Sequence, residues 1–448
     1  MTTTVSRITL VPDASEAIGQ LPLDPWIVAV DTQAVVAALQ ARGTAVRFVG
    51  GCVRDSLARR PVHDVDIATP DRPETVIALL EDAGLKAVPT GLKHGTVTAV
   101  SGDETFEVTT LRCDVKTDGR HAKVAFTEDW LEDAKRRDLT INAMSAAPGG
   151  AVYDPFDGIS DLAHGRVRFV GRARERVEED HLRILRFFRF FGDFGRPPMD
   201  KDGLAACRAS AEKLTRLSGE RLRDELLKIM VGPDPANIAM RMRSIDVFDH
   251  ILPEAGEVTR LRSLNWLETR AVNIDGVAPD AIRHLAALLD TDAAGPGGVA
   301  ERLRLSNMQA DRLRLLCTGE EGDNVSAEMG EQAEQRLIRR IGAGQARDLM
   351  LLAWAGELAA TPRLPRPRTE AYIAMLERCA QWIPPLFPLT GSDVLASGVP
   401  EGPGVGDVLR RIEGWWENSG YQASRQDCLD RLMKETADTA ERDIGGAT

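Results

Sequence analysis

Gly50-Gly51-Cys52-Val53-Arg54-Asp55, followed by Asp64-Val65-Asp66, supplies the residue types that phosphate chemistry needs. Glycines let backbone N–H groups approach a phosphate, and a helix N-terminus adds favourable polarity. Arg54 can add a charge-assisted contact. Asp64 and Asp66 stand two apart in an extended segment, so their carboxylates share one face and can serve one metal site. Glu107, in the apolar run Phe106-Glu107-Val108, is a candidate third acid. A carboxylate buried there without a partner is costly, and a shared metal site would explain it. Two Mg²⁺ ions about 4 Å apart could activate an attacking 3′-hydroxyl and stabilise departing pyrophosphate. That combination points to nucleotidyl chemistry.

Two further groups add recognition. Arg136-Arg137-Asp138 precedes the run Leu139-Thr140-Ile141-Asn142-Ala143. It could grip phosphate and ribose, with Asp138 accepting from a sugar hydroxyl, although Arg-Arg-Asp also describes a solvated helix face. Asp180, Arg183 and Arg186 are three apart, which places them along one helical stripe. Acceptors beside bidentate donors can satisfy the Watson–Crick edge of a base. The same spacing describes a surface ion pair worth a few tenths of a kcal/mol.

Elements must hold these residues. Ala45–Val49 reads as a strand ending at the two glycines, with a helix following. Asp31 to Gly43 reads as a helix, Asp31 as N-cap and Gly43 closing it. Val65–Ala68, Thr96–Val100 and Thr105–Leu111 read as strands, with a helix near Glu74–Ala83 ended by Gly84. Asp118-Gly119-Arg120 lies in a polar loop. From Ala173 the pattern is helical, with Leu182, Leu185, Phe188 and Phe191 at spacing three in an Arg-rich segment. Pro362 to Pro367 reads as a linker, and Trp415-Trp416 as packing. The fold class is α+β: a small N-terminal mixed α/β head, then all-α neck, body and tail. Expected boundaries are 1–25 (extension), 26–155 (head), 156–235 (neck), 236–365 (body) and 366–448 (tail).

The 448 residues exceed a single core, and the 43% hydrophobic content is ordinary for a globular protein. Three Tyr and twelve Phe give little for an aromatic platform under single strands. Six scattered cysteines without CxxC pairs indicate neither a zinc site nor a disulfide framework. No apolar run approaches the roughly 18 residues of a membrane helix, so a cytoplasmic protein without membrane association is expected. Net charge is −12, which argues against a nucleic-acid partner. The distribution moderates this: residues 160–230 hold 16 Lys and Arg against 12 Asp and Glu, the only basic block.

In combination these motifs resemble the bacterial class II CCA-adding tRNA nucleotidyltransferase and poly(A) polymerase family. The resemblance rests on Val49 to Asp55, Asp64-Val65-Asp66, Gly91 to Val97, Arg136 to Ala143, Asp154-Pro155-Phe156-Asp157-Gly158 and Glu179 to Arg189, in order over about residues 26–230. It implies two Mg²⁺ on Asp64 and Asp66, with Glu107 as third acid. It implies that Gly50, Gly51, Arg54 and Arg137 contact the incoming nucleotide, and Asp138 its ribose. Asp180 and Arg183 would act as an amino-acid template selecting CTP and then ATP, with Arg186 and Arg189 supporting that site and the triphosphate. The Asp118–Lys123 loop resembles the one implicated in switching from C to A. The helical half would grip the tRNA elbow by shape and backbone. No protein partner is implied. His284 has no adjacent Asp, so the phosphohydrolase activity of some relatives is not expected. CCA addition leads this reading. Poly(A) addition, partial CC or A addition, transfer to a small molecule and an inactive RNA-binding scaffold are its alternatives.

Overall fold

The computed structural model describes residues 14–116, 123–319 and 325–445. The loop Asp118–Lys123 therefore lies outside the described residues, apart from Lys123. Ten strands are present among them: β1 (Gly19–Gln20), β2 (Arg47–Val49), β3 (Val65–Thr69), β4 (Lys86–Gly91), β5 (Thr96–Ser101), β6 (Glu104–Thr110), β7 (Arg112–Lys116), β8 (Lys123–Phe126), β9 (Ser145–Ala146) and β10 (Ala151–Tyr153). Eight form one sheet in the order β1-β10-β9-β2-β3-β6-β5-β4, and β7 and β8 pair separately. β3 and β6 run parallel, with Asp66 opposite Glu107; the other pairs are antiparallel.

Alternation along β3 and β6 decides what each face does. Ile67, Phe106 and Val108 point into a core shared with Val35, Leu39, Val76 and Leu80 of the helices Val30–Leu39 and Pro73–Asp82. Asp66 and Glu107 point to the other face, half-buried and exposed respectively. Further along β3, Ala68 on that same face is buried in a smaller cluster with Val49, Leu111 and Trp130.

Several expectations are corrected. Ala29, not Asp31, is the N-cap of Val30–Leu39; Asp31 lies in the first turn and accepts from Ser101 Oγ at 2.7 Å. The strand expected at Ala45–Val49 begins at Arg47. The sheet takes in Gly19–Gln20, ahead of the expected head boundary at 26. β4 was not anticipated. It carries Pro89, which removes a ladder donor and fits only because β4 is an edge strand.

The chain divides into two compact units, one of residues 1–255 with 298–306 and one of 256–297 with 307–448. In the first, helices Ala173–Glu179, Arg183–Phe194, Lys201–Ser210 and Gly219–Met230 follow the sheet. The second is helical among its described residues, and Trp416 is buried in its C-terminal core as anticipated. His284 is fully buried there, paired with Glu268, which also holds Arg283. Among the described residues no helix is long and apolar enough to cross a membrane.

Candidate nucleotidyl-transfer site

β2 is wholly buried and drives the chain straight into the helix Gly51–Leu57. The junction needs glycine at position 50, where φ is 71° and ψ is −121°. Its N–H donates to the Met144 carbonyl at 3.4 Å and is therefore already used within the fold. Cys52 follows, fully buried, its thiol pushed up to about 12 by burial. A thiol so protonated is a poor nucleophile.

A cavity of about 320 Å³ opens above this turn. Gly50, Gly51, Arg54 and Asp66 line its head side; Arg136, Arg137, Asp138 and Asn142 line the segment after the sheet; Asp180, Arg183, Arg186 and Phe190 line the helical side. Nine of the residues proposed from sequence therefore meet at one place. Asp64, Glu107 and Arg189 do not line it.

Each basic group is held by a partner. Arg54 donates to Asn142 Oδ1 at 2.6 Å and to Asp55 at 2.8 and 2.9 Å. Arg137 leans on Asp133 at 3.2 Å, and Arg136 on the same carboxylate at 2.8 Å. Burial opposes charge on Asp133, but Arg137 and Arg136 outweigh it and hold its pKa below the usual carboxylate range. Arg183 donates to Glu179 at 2.6 Å and to the Arg136 carbonyl at 2.8 Å. Arg186 donates to Asp138 at 2.6 Å.

Three of the sequence-derived residues are placed differently from the sequence expectation. Asp138 is buried and accepts from Leu139 N–H, Asn142 Nδ2 and Arg186 Nε, so its structural work is to fix Arg186. Burial disfavours its charge, yet Arg186 and the other donors keep its pKa low. Asp180 is not on the helix with Arg183 and Arg186. It is the extended residue ending Ala173–Glu179, and its carboxylate accepts from Leu182 N–H and from Arg221 rather than from Arg183. The three still face one cavity, so the stripe is real in space although the helix starts later. Arg189 turns to Glu225 at 2.7 Å and lies 4.3 Å from the Phe190 ring, one layer behind the cavity.

The acidic face is the candidate metal site. Asp64 is exposed just ahead of β3, and Glu107 is exposed rather than buried, which removes the burial argument for it. Proximity replaces that argument. Burial, then Glu107, then Asp64 push the Asp66 carboxyl up, against Arg137, to about 6. Among the described residues no three donors are already gathered closely enough to hold an ion. The donor chemistry nevertheless fits a hard divalent cation, whose charge would relieve the repulsion that Asp66 carries.

Sequence reasoning passed over Asp133, Glu179, Arg221, Glu225 and Phe190. Asp133 was legible from its spacing of three and four to Arg136 and Arg137, and Glu179 from its spacing of three to Arg176; the Glu179–Arg183 pair spans the break between two helices, which helical spacing does not describe. Arg221 and Glu225 come from 41 and 39 residues beyond Asp180 and Arg186, and no local pattern announces them.

Known proteins share this organisation. The Poly A polymerase head domain profile matches residues 46–168, and that for the probable RNA and SrmB-binding site of polymerase A matches residues 198–257. The human mitochondrial CCA tRNA nucleotidyltransferase 1 is 34% identical over 397 residues, 87% of this chain and 86% of the relative. The CCA-adding enzyme of Lactobacillus delbrueckii subsp. bulgaricus is 33% identical over 329 residues, 70% of this chain and 80% of the relative. The crystal structure of the Bacillus stearothermophilus CCA-adding enzyme in complex with CTP superposes with a TM-score of 0.73 at 27% identity, covering 92% of this chain and 98% of that one. With identity of this level sustained from the head through most of the helical half, this chain belongs to the CCA tRNA nucleotidyltransferase family.

Proposed function

We propose that the protein adds CCA to the 3′ end of tRNA from CTP and ATP without a nucleic-acid template, releasing pyrophosphate. The observation that carries this is one cavity in which a base-reading pair, Asp180 and Arg183, faces a phosphate-reading set, Gly51, Arg54 and Arg137, beside Asp66. Relatives named for CCA addition to tRNA cover most of the chain, which favours this over poly(A) addition.

In this reading Arg54 and Arg137 neutralise the triphosphate, and Asn142 and Asp133 keep both guanidiniums aimed. Asp180 accepts from the amino group of cytosine or adenine while Arg183 donates to the adjoining ring nitrogen. Uracil and guanine present a carbonyl where that amino group stands, so the pair rejects them. Arg186, fixed by Asp138, closes the cavity wall beside the nucleotide. The family uses divalent metal. Asp64 and Asp66, with Glu107 beside them, would hold two Mg²⁺, which when bound favour attack by the 3′-hydroxyl and loss of pyrophosphate.

Primer extension tests this on a tRNA lacking CCA, the same tRNA ending in CC, and oligo(A), with CTP and ATP singly and together. Growth by three nucleotides that then stops is expected. Long ATP-only tails on oligo(A), or no extension of any acceptor, would overturn it.

A further inference from the structure

The helix Gly219–Met230 touches the nucleotide-selecting residues without lining the cavity. Arg221 and Glu225, four apart, share one of its faces. Glu225 is buried and pairs with Arg189 at 2.7 Å and with Arg186 at 3.6 Å. Arg221 Nη2 donates to Asp180 Oδ2 at 2.7 Å, while Leu182 N–H occupies Asp180 Oδ1 at 3.1 Å. Both oxygens of the base-reading carboxylate are thus oriented from outside the cavity.

We propose that Arg221 is a positioning residue for nucleotide choice: it holds the Asp180 carboxylate as an aimed acceptor, and so sets discrimination between amino-bearing and carbonyl-bearing bases. The inference rests on the assignment of Asp180 and Arg183 to base recognition. Its chemistry follows from the inventory of donors. An ionised carboxylate can only accept, which matches the amino groups of cytosine and adenine and opposes the carbonyls of uracil and guanine. Released from Arg221, the carboxylate can turn away from the base edge, and its aim is lost. The pair contributes little to the fold. Its side chains are 43% and 31% exposed, a setting in which ion pairs add at most about 1 kcal/mol. The same interaction, applied where two nucleotides compete, is enough to change a ratio.

The test is single-nucleotide addition by the full-length protein to a tRNA lacking CCA, comparing kcat/KM for CTP and UTP. Arg221→Met is expected to lower the CTP-to-UTP ratio about fivefold, the rate equivalent of about 1 kcal/mol, with an unchanged melting temperature. Arg221→Lys recovers part of the ratio, because charge returns without the planar fork. In an Asp180→Asn background, Arg221→Met adds no further loss. Arg183→Ala is the control for base recognition itself. A lowered ratio in Arg183→Ala with an unchanged ratio in Arg221→Met overturns the inference alone, as does an undiminished Arg221 effect in the Asp180→Asn background. An unchanged ratio in both Arg183→Ala and Asp180→Asn overturns the base-reading assignment as well. Arg221→Gln gives the same reading if Arg221→Met does not fold.

Discussion

Gly50 and Asp66 are coupled through space: a side-chain carbon built on Gly50 would stand 3.2 Å from Arg137 Nη1 and 3.9 Å from Asp66 Oδ2. Gly50→Ala meets both this crowding and a positive φ that other residues adopt at a cost of about 1–3 kcal/mol. The expected outcome is a lower melting temperature together with a loss of extension larger than that loss of stability explains. Asp66 behaves in the opposite sense. Its carboxyl pKa is raised in the fold to about 6, above the usual carboxylate value, so its charge destabilises the metal-free protein above that pH. The penalty disappears as pH falls through 6 towards 4, where the proton is bound in both folded and unfolded chains. Asp66→Asn in metal-free buffer should therefore raise the melting temperature at pH 8, with the gain shrinking on acidification, while transfer is abolished. A melting temperature unchanged at pH 8 would remove the repulsion argument.

The helix Arg183–Phe194 is tied to Arg54 of the glycine turn by its rings, and to Asp138 by Arg186. Phe190 and Phe194 stack at 6.2 Å. Arg54 lies 5.0 and 4.7 Å from them, Arg60 4.1 Å from Phe194, and Arg186 and Arg189 5.2 and 4.3 Å from Phe190. Each such contact contributes about 0.5–1 kcal/mol. Phe190→Leu keeps apolar volume but removes the ring face, so KM for CTP should rise severalfold in steady-state kinetics with a smaller change in kcat. Phe190→Tyr should restore it. This helix also shows what was legible in the chain. Its buried Leu185, Phe188 and Phe191 were readable from spacing alone, as were the strands flanking Asp66. The error at Asp180 has a local cause: an aspartate that bonds the N–H two residues on favours a turn over a helix, and spacing in sequence does not reveal that competition. Short strands such as β1, β9 and β10 carry two or three residues each, too few for alternation to register.

At the scale of the molecule, the site belongs to one unit, residues 1–255 with 298–306, and every cavity residue comes from its first 190 positions. Motif order exposed that concentration in the sequence. The way the helical half closes on itself was not exposed, because ion pairs such as Arg283 with Glu268 and Asp348 join residues 15 and 65 apart. One feature of the sheet bears on how the protein reaches its active form. β3 and β6 are parallel neighbours, yet the chain between them must build the helix Pro73–Asp82 and strands β4 and β5 before β6 returns to meet β3. Asp66 and Glu107 therefore become neighbours only after a long loop has closed. Such closure loses entropy before any contact compensates, so non-local pairing of this kind is slow. On dilution from denaturant, helical circular dichroism should recover first, and nucleotide transfer should return in a later phase. Competence to react is, in this chain, a property of a completed crossover rather than of any segment that carries the acidic residues.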